Sequence, residues 1–440
     1  MFGKCTKPVT CGLGGLKLGN GAVFPEVNYT LPAVTIGPDT IEWVCAQYRR
    51  MVGAILGRAA DLKVPGLVLE FEHPFELTMR PEWGAKVTAE TKELMREFHG
   101  RSGIPCALRV TIADIRDKTR PPRMRTGEEL VRMKEAFHAC AKAGGDILSI
   151  ESTGGKEVSD EALMGGDLRG VLFGMCVLGG RDMAFLWDAI SGIALETGTV
   201  SGGDSACGFG NTAMRLADMN YISRVFAAVV RAMSAARSLV AYDHGAVGPS
   251  KDCAYEGVYL KALRGIPIAL EGKSAACAHF SHIGNISQAY GDLWSNESVQ
   301  DVKLLAGYAP EVFAEVLIYD CRLMNEALRR GEEERLRDWL VASDALGDPQ
   351  AYVLSPEVIT AVAADLGREK GPYRQGLAAA RTAAAMIAAA ADRLALSPRE
   401  MEWLDRIRKQ LDGLPGSEEE FIAAVLPGHE AQFLKTEYGL

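Results

Sequence analysis

Short apolar runs alternate with helical stretches through most of this chain, and that alternation restricts its fold more than any other feature. The runs fall at residues 66–71, 106–112, 147–150, 199–201, 239–242 and 266–270, with weaker ones at 287–293 and 316–319. Helical spacing of apolar residues fills the gaps at 88–99, 127–143, 182–197, 211–236 and 253–263. Strands that alternate with helices, and are apolar enough to be covered on both faces, belong to a parallel sheet. The polar residues decide between an open sheet and a closed one. Glu72 and His73, Asp114, Glu151, Asp204, Asp243 and His244, and Glu271 each stand at or just beyond the C-terminal end of a run. An open sheet gathers its chemistry at one crevice, whereas an eight-fold β/α barrel of the TIM type draws it from many strand ends. The pattern therefore predicts an α/β fold, a (β/α)8 barrel over 39–329.

An irregular arm is expected at 1–38 and a helical appendage at 330–440, where Ser397, Pro398 and Glu400 form an N-terminal helix signature and 435–440 reads as an exposed tail. Thr126 and Glu129 have capping-box spacing. The net charge of −9 argues against a nucleic-acid partner, and no purely apolar run reaches the ~18 residues of a membrane span. Residues 1–22 lack the apolar core of a signal peptide, so a cytoplasmic protein with reduced thiols is expected. One basic cluster, Arg116, Lys118, Arg120, Arg123 and Arg125, reads as a solvated loop or as a contact for an anionic cofactor tail or a partner.

The ten cysteines divide into two groups. Cys5, Cys11, Cys45, Cys106, Cys140, Cys176 and Cys321 occupy the arm, strands or helix interiors, where a thiol packs as a small apolar side chain. Cys207, Cys253 and Cys277 follow strand-like runs among small and polar residues. Cys207 closes the turn G-G-D-S-A-C at the start of a helix, whose positive end favours thiolate. Two ligand sets for one metal can be drawn: Glu151, Cys207 and Cys253, or Cys277, His279 and His282. Zinc accepts thiolate, imidazole and carboxylate alike, so spacing leaves both sets open, and the absence of a metal as well. No complete G-x-G-x-x-G, phosphate-binding loop or G-x-S-x-G elbow is present.

Longer ordered stretches carry a family resemblance. They are P-E-V-N-Y (25–29), P-C-A-L-R-V-T-I-A-D-I-R (105–116), I-E-S-T-G-G-K-E-V (150–158), G-G-D-S-A-C (202–207), N-T-A-M (211–214), G-A-V-G-P-S-K-D-C (245–253), E-G-K-S-A-A-C-A-H (271–279), W-S-N-E-S-V (294–299) and D-P-Q-A-Y (348–352). In these the chain resembles the zinc-containing methanol:corrinoid methyltransferases over nearly its whole length. The resemblance implies a β/α barrel with extra helices. It also implies one zinc ion on Glu151, Cys207 and Cys253, and methyl transfer from methanol to the cobalt(I) of a corrinoid on a partner protein. A homodimer within a hetero-oligomer is the implied assembly. Gly208-Phe209-Gly210 and His282 depart from the family pattern and are expected at the pocket wall. Other readings are a different small methyl donor, such as a methylamine or methoxylated compound, and a non-catalytic paralogue that docks on a corrinoid protein. Lys251 and Lys273 are the nearest candidates for a donor that offsets the charge of such a site.

Overall fold

The computed structural model describes residues 1–31, 34–251, 255–279, 281–299, 302–304 and 307–440. Its centre is a seven-stranded parallel sheet. In chain order, after an N-terminal hairpin of β1 (Lys4–Cys11) and β2 (Leu16–Asn20), the strands are β3 (Phe24–Thr30), β4 (Leu67–Glu72), β5 (Cys106–Ile112), β6 (Ile147–Ile150), β7 (Val200–Gly203), β8 (Ala269–Glu271) and β9 (Leu293–Val299). Their spatial order is β7-β6-β5-β4-β3-β9-β8.

The gap between β7 and β8 is filled by the segment 247–250. Val247 and Gly248 donate their amides to Ser201 and Gly202 of β7 at 2.8 and 2.7 Å, and Ser250 donates to the carbonyl of Pro267, just before β8, at 3.2 Å. A parallel bridge between Ser250 and Ile268 completes the contact. The sheet thus closes into the eight-stranded barrel, with an irregular eighth strand.

Three of the expected strands differ. Residues 239–242 end the helix Arg224–Asp243, and 316–319 lie inside the helix Ala309–Arg330. Residues 287–289 belong to the 3-10 helix Ile286–Ala289, and β9 begins only at Leu293. A four-residue apolar run does not separate buried helix from buried strand, and Arg224–Asp243 is apolar on nearly every side because it runs through the core. Asp243 and His244 therefore stand at a helix end, where His244 Nδ1 lies 2.8 Å from Asp188. Conversely, β3 lies inside the expected arm. Its F-P-E-V-N-Y-T pattern hides a strand because Glu26 and Asn28 are buried polar residues.

The hairpin plugs the N-terminal face. Leu16 and Leu18 pack with Phe24, Val68, Ala107, Ile147, Ala269 and Leu293, the lowest inward residues of the strands. The helices Pro349–Tyr352, Pro372–Ala389 and Pro398–Asp412 pack on Arg224–Asp243, chiefly Pro372–Ala389. Two stretches, Leu168–Thr197 and Arg224–Asp243, are long and apolar enough by composition to cross a membrane, yet both are largely buried within the protein.

Capping bonds tie the appendage to this core. Ser397 caps its own helix through the amide of Glu400. The Glu400 carboxylate accepts instead from Arg224 and Val225, at 3.1 and 2.9 Å, at the open end of the central helix. Glu400→Ala is expected to cost about 1–2 kcal/mol, read as a lower urea midpoint, because two charge-assisted cap bonds are lost. The Thr126–Glu129 box does not form. Gly127 is the N-cap, and the Thr126 hydroxyl donates to Glu437 in the C-terminal segment.

Candidate active site at the barrel mouth

Side chains alternate in and out along each strand, and the inward ones form layers. Above the apolar floor comes a charged layer that includes Glu26, Glu70, Arg109, Ser149 and Glu271. Arg109 reaches Glu26 Oε2 through Nε and Nη2 at 3.1 and 3.0 Å, and its Nη1 donates to Ser149 Oγ at 2.8 Å. The same nitrogen reaches the carbonyl of Pro249 at 3.1 Å, so Arg109 also holds the eighth strand. Thr111 donates to Glu70 Oε1 at 2.6 Å. Tyr255 donates to Glu271, and His279 Nδ1 lies 2.9 Å from the same carboxylate.

One turn of the pleat higher are Asn28, Glu72 and Glu151. Asn28 Nδ2 donates to Glu72 Oε2 at 2.8 Å. Glu151 directly follows β6 and its side chain is 26% exposed, and Lys251 Nζ stands 3.3 Å from it and 3.1 Å from Glu70. Glu70 and Arg109 carry a signal in the sequence, each being a charged residue inside an apolar run, whereas Glu26 lies in the strand that the pattern hides.

Two of the three candidate ligands, Glu151 and Cys207, lie among the described residues. Cys207 begins the helix Cys207–Asp218, is 4% exposed, and accepts a hydrogen bond from Asn211 Nδ2 at 3.0 Å. Cys253 lies outside the described residues. Among the described residues no three Cys, His, Asp or Glu side chains gather as a metal cluster. The loops nevertheless hold one another. Ser152, next to Glu151, gives its amide and hydroxyl to Asp204, three residues before Cys207, at 3.1 and 2.6 Å. Ala206, next to Cys207, gives its amide to Glu256, three residues after Cys253, at 2.8 Å. Lys251, two residues before Cys253, is the partner of Glu151. Each pair of loops is thus bonded beside the residues in question. Glu151 and Cys207 on this frame, with Cys253 between Lys251 and Glu256 in the sequence, fit a zinc ion in ligand type.

Other candidates have structural roles. Asp204 also accepts from Trp187 Nε1 at 3.2 Å, and Arg237 braces the frame by donating to the Ser152 carbonyl at 2.7 Å. Phe209 is not at a pocket wall but fully buried beneath the Arg237 guanidinium. Asp114 and Asp182 clamp Arg116 at 2.8 and 2.7 Å, so the first member of the basic cluster is buried. Burial works to raise the Asp114 carboxyl, but Arg116 outweighs it and holds the group below its usual range. His73 is packed on Phe71 with its Nε2 3.6 Å from Cys140 of the helix Glu128–Ala143, and burial pushes its imidazole down to about 3.

The second ligand set does not assemble. Cys277 is exposed, His279 turns inward to Glu271, and His282 is mostly exposed with Nδ1 3.5 Å from Asp348. Lys273 faces outward to Asp320 at 3.2 Å, which leaves Lys251 as the lysine at the mouth.

A closed β/α barrel with its polar groups at the strand C-termini defines a barrel enzyme with its site at the mouth. The family model for the methanol-cobalamin methyltransferase B subunit matches residues 1–439, and the chain belongs to that family. It is 38% identical over 447 aligned positions to the methanol–corrinoid protein co-methyltransferase of Methanosarcina barkeri, covering 100% of this chain and 96% of that one. It also superimposes on the crystal structure of the methanol:cobalamin methyltransferase complex MtaBC from Methanosarcina barkeri with a TM-score of 0.95, at 37% identity and over 100% and 96% of the two chains.

Proposed function

We propose that this chain transfers the methyl group of methanol to the cobalt of a corrinoid held by a separate protein, at a zinc ion held by Glu151, Cys207 and Cys253. The observation that supports this most is the mutual bonding of the three loops through Ser152–Asp204, Ala206–Glu256 and Lys251–Glu151. Membership in the methyltransferase family supports the reaction class. A bound zinc ion supplies Lewis acidity toward an alcohol oxygen, which makes hydroxide a better leaving group.

The chain's own groups prepare that site. Two thiolates and one carboxylate around a divalent ion leave about one negative charge. The Lys251 ammonium, beside Glu151 and Glu70, offsets it from below. The Asn211 amide donates to the Cys207 sulfur and draws charge from it. Glu256 keeps the Cys207 turn in place by receiving both Ala206 N–H and Ser238 Oγ, and burial pushes its carboxyl up. The apolar floor and the Arg109 layer close the barrel from beneath. A corrinoid must therefore approach from the strand C-terminal face, which is where a partner protein docks in this reading.

The deciding experiment is methyl transfer to cob(I)alamin from methanol, a methylamine and a methoxylated compound, with zinc measured in the same samples. Methanol-specific transfer with one zinc per chain is expected. Transfer from another donor only would reassign the substrate, and zinc binding without transfer from any donor would make the chain a docking paralogue. Lys251→Met is expected to lower kcat about 10–100-fold while zinc stays bound. Unchanged turnover in that variant removes the lysine from the mechanism.

A further inference from the structure

We infer that the C-terminal segment 432–438 is a strap that positions the loop carrying Glu151, with Tyr438 as its contact residue. The expected exposed tail is in fact folded into the protein. Tyr438 is 1% exposed, and its hydroxyl accepts the backbone N–H of Gly155 at 3.0 Å across 283 residues of sequence.

The loop from Ser152 to Gly155 has little slack. Thr153 donates its amide and hydroxyl to Asp114 at 2.8 and 3.1 Å. A side chain on Gly154 would meet Asp182 at 2.3 Å. Gly155 has φ +81°, and a Cβ there would lie 1.9 Å from the Gly174 carbonyl. Its N–H is directed at the tyrosine hydroxyl, four residues after Glu151.

The strap is fastened beside that contact. The Glu437 carboxylate accepts from the Arg125 amide and the Thr126 hydroxyl, and Arg181 donates to the Gly439 carbonyl at 3.4 Å. The Tyr438 ring meets Phe433 edge-on, and Phe433 meets Phe173 in the same way. Packing alone asks only for a phenyl ring, and the hydroxyl serves the Gly155 amide. The segment also forms one wall of a cavity of ≈ 300 Å³ whose other walls include Thr153, Lys156 and Arg120. A carboxylate ligand at a strand end has to be held within about 0.5 Å of its working position. Glu151 is partly exposed and paired with Lys251, and the loop that follows adds a main-chain restraint on it.

The functional part of this inference rests on the zinc reading; the strap itself does not. The test uses the full chain with Tyr438→Phe and, separately, Glu437→Gln. Hydrogen exchange of residues 151–158 is measured in the zinc-free protein, and zinc affinity by chelator competition. Exchange in that loop is expected to quicken about tenfold while the rest of the barrel is unaffected. The zinc Kd is expected to rise about tenfold, and kcat to fall with KM for methanol unchanged. Unchanged exchange in both variants overturns the strap, whatever the zinc affinity. If the natural protein binds no zinc, the metal reading fails and the exchange result still decides the strap.

Discussion

Cys207→Ala is expected to empty the site of zinc and to lower methyl transfer from methanol by more than about 100-fold, since groups that merely touch a ligand already cost 10–100-fold. The fold should survive. Alanine is a strong helix former, and the residue opens the helix Cys207–Asp218 in a place where only the sulfur is lost. The Ala206–Glu256 bond, which involves the main chain, stays intact. Metal content and the thermal midpoint of zinc-free protein separate the two effects: the first should fall to near zero and the second should barely move. One zinc per chain in the alanine variant would refute the ligand assignment.

Arg109→Met carries the largest expected stability loss. Arg109 and Glu26 are both fully buried, and the arginine also binds Ser149 and the carbonyl of Pro249. Removing one partner of a buried pair leaves a charge in a poor solvent, a cost of about 3–5 kcal/mol. Because the eighth strand depends on the same guanidinium, exchange protection at Val247 and Gly248 should fall with it. Adding Glu26→Gln to Arg109→Met should recover part of the loss, since the stranded carboxylate is gone. A single variant that unfolds within about 1 kcal/mol of the natural protein would show that the charged layer is not what holds the barrel shut.

The barrel was legible where the physics is local. β5 and β6 match their apolar runs, because a strand covered on both faces admits few polar residues. The expected count of eight came from a different set of segments. Residues 239–242 end a buried helix, 316–319 lie in a helix that buries Leu317 and Ile318 but exposes Val316 and Tyr319, and β3 was hidden by its own polar interior residues. The eighth strand, 247–250, has a glycine, a proline and a serine and little apolar character; only its neighbours' unpaired backbone groups make it a strand.

For the site, the sequence by itself determined the chemistry available: Glu151 after one strand, Cys207 at a helix start, and charged residues inside apolar runs. It also carried the family resemblance, which the family match over 1–439 bears out. Tertiary structure decided which groups meet. It chose Lys251 over Lys273, turned His282 away from His279, and drew the last residues of the chain onto Gly155. Those outcomes depend on contacts between residues tens to hundreds of positions apart, and residue type and local periodicity carry no information about such distances.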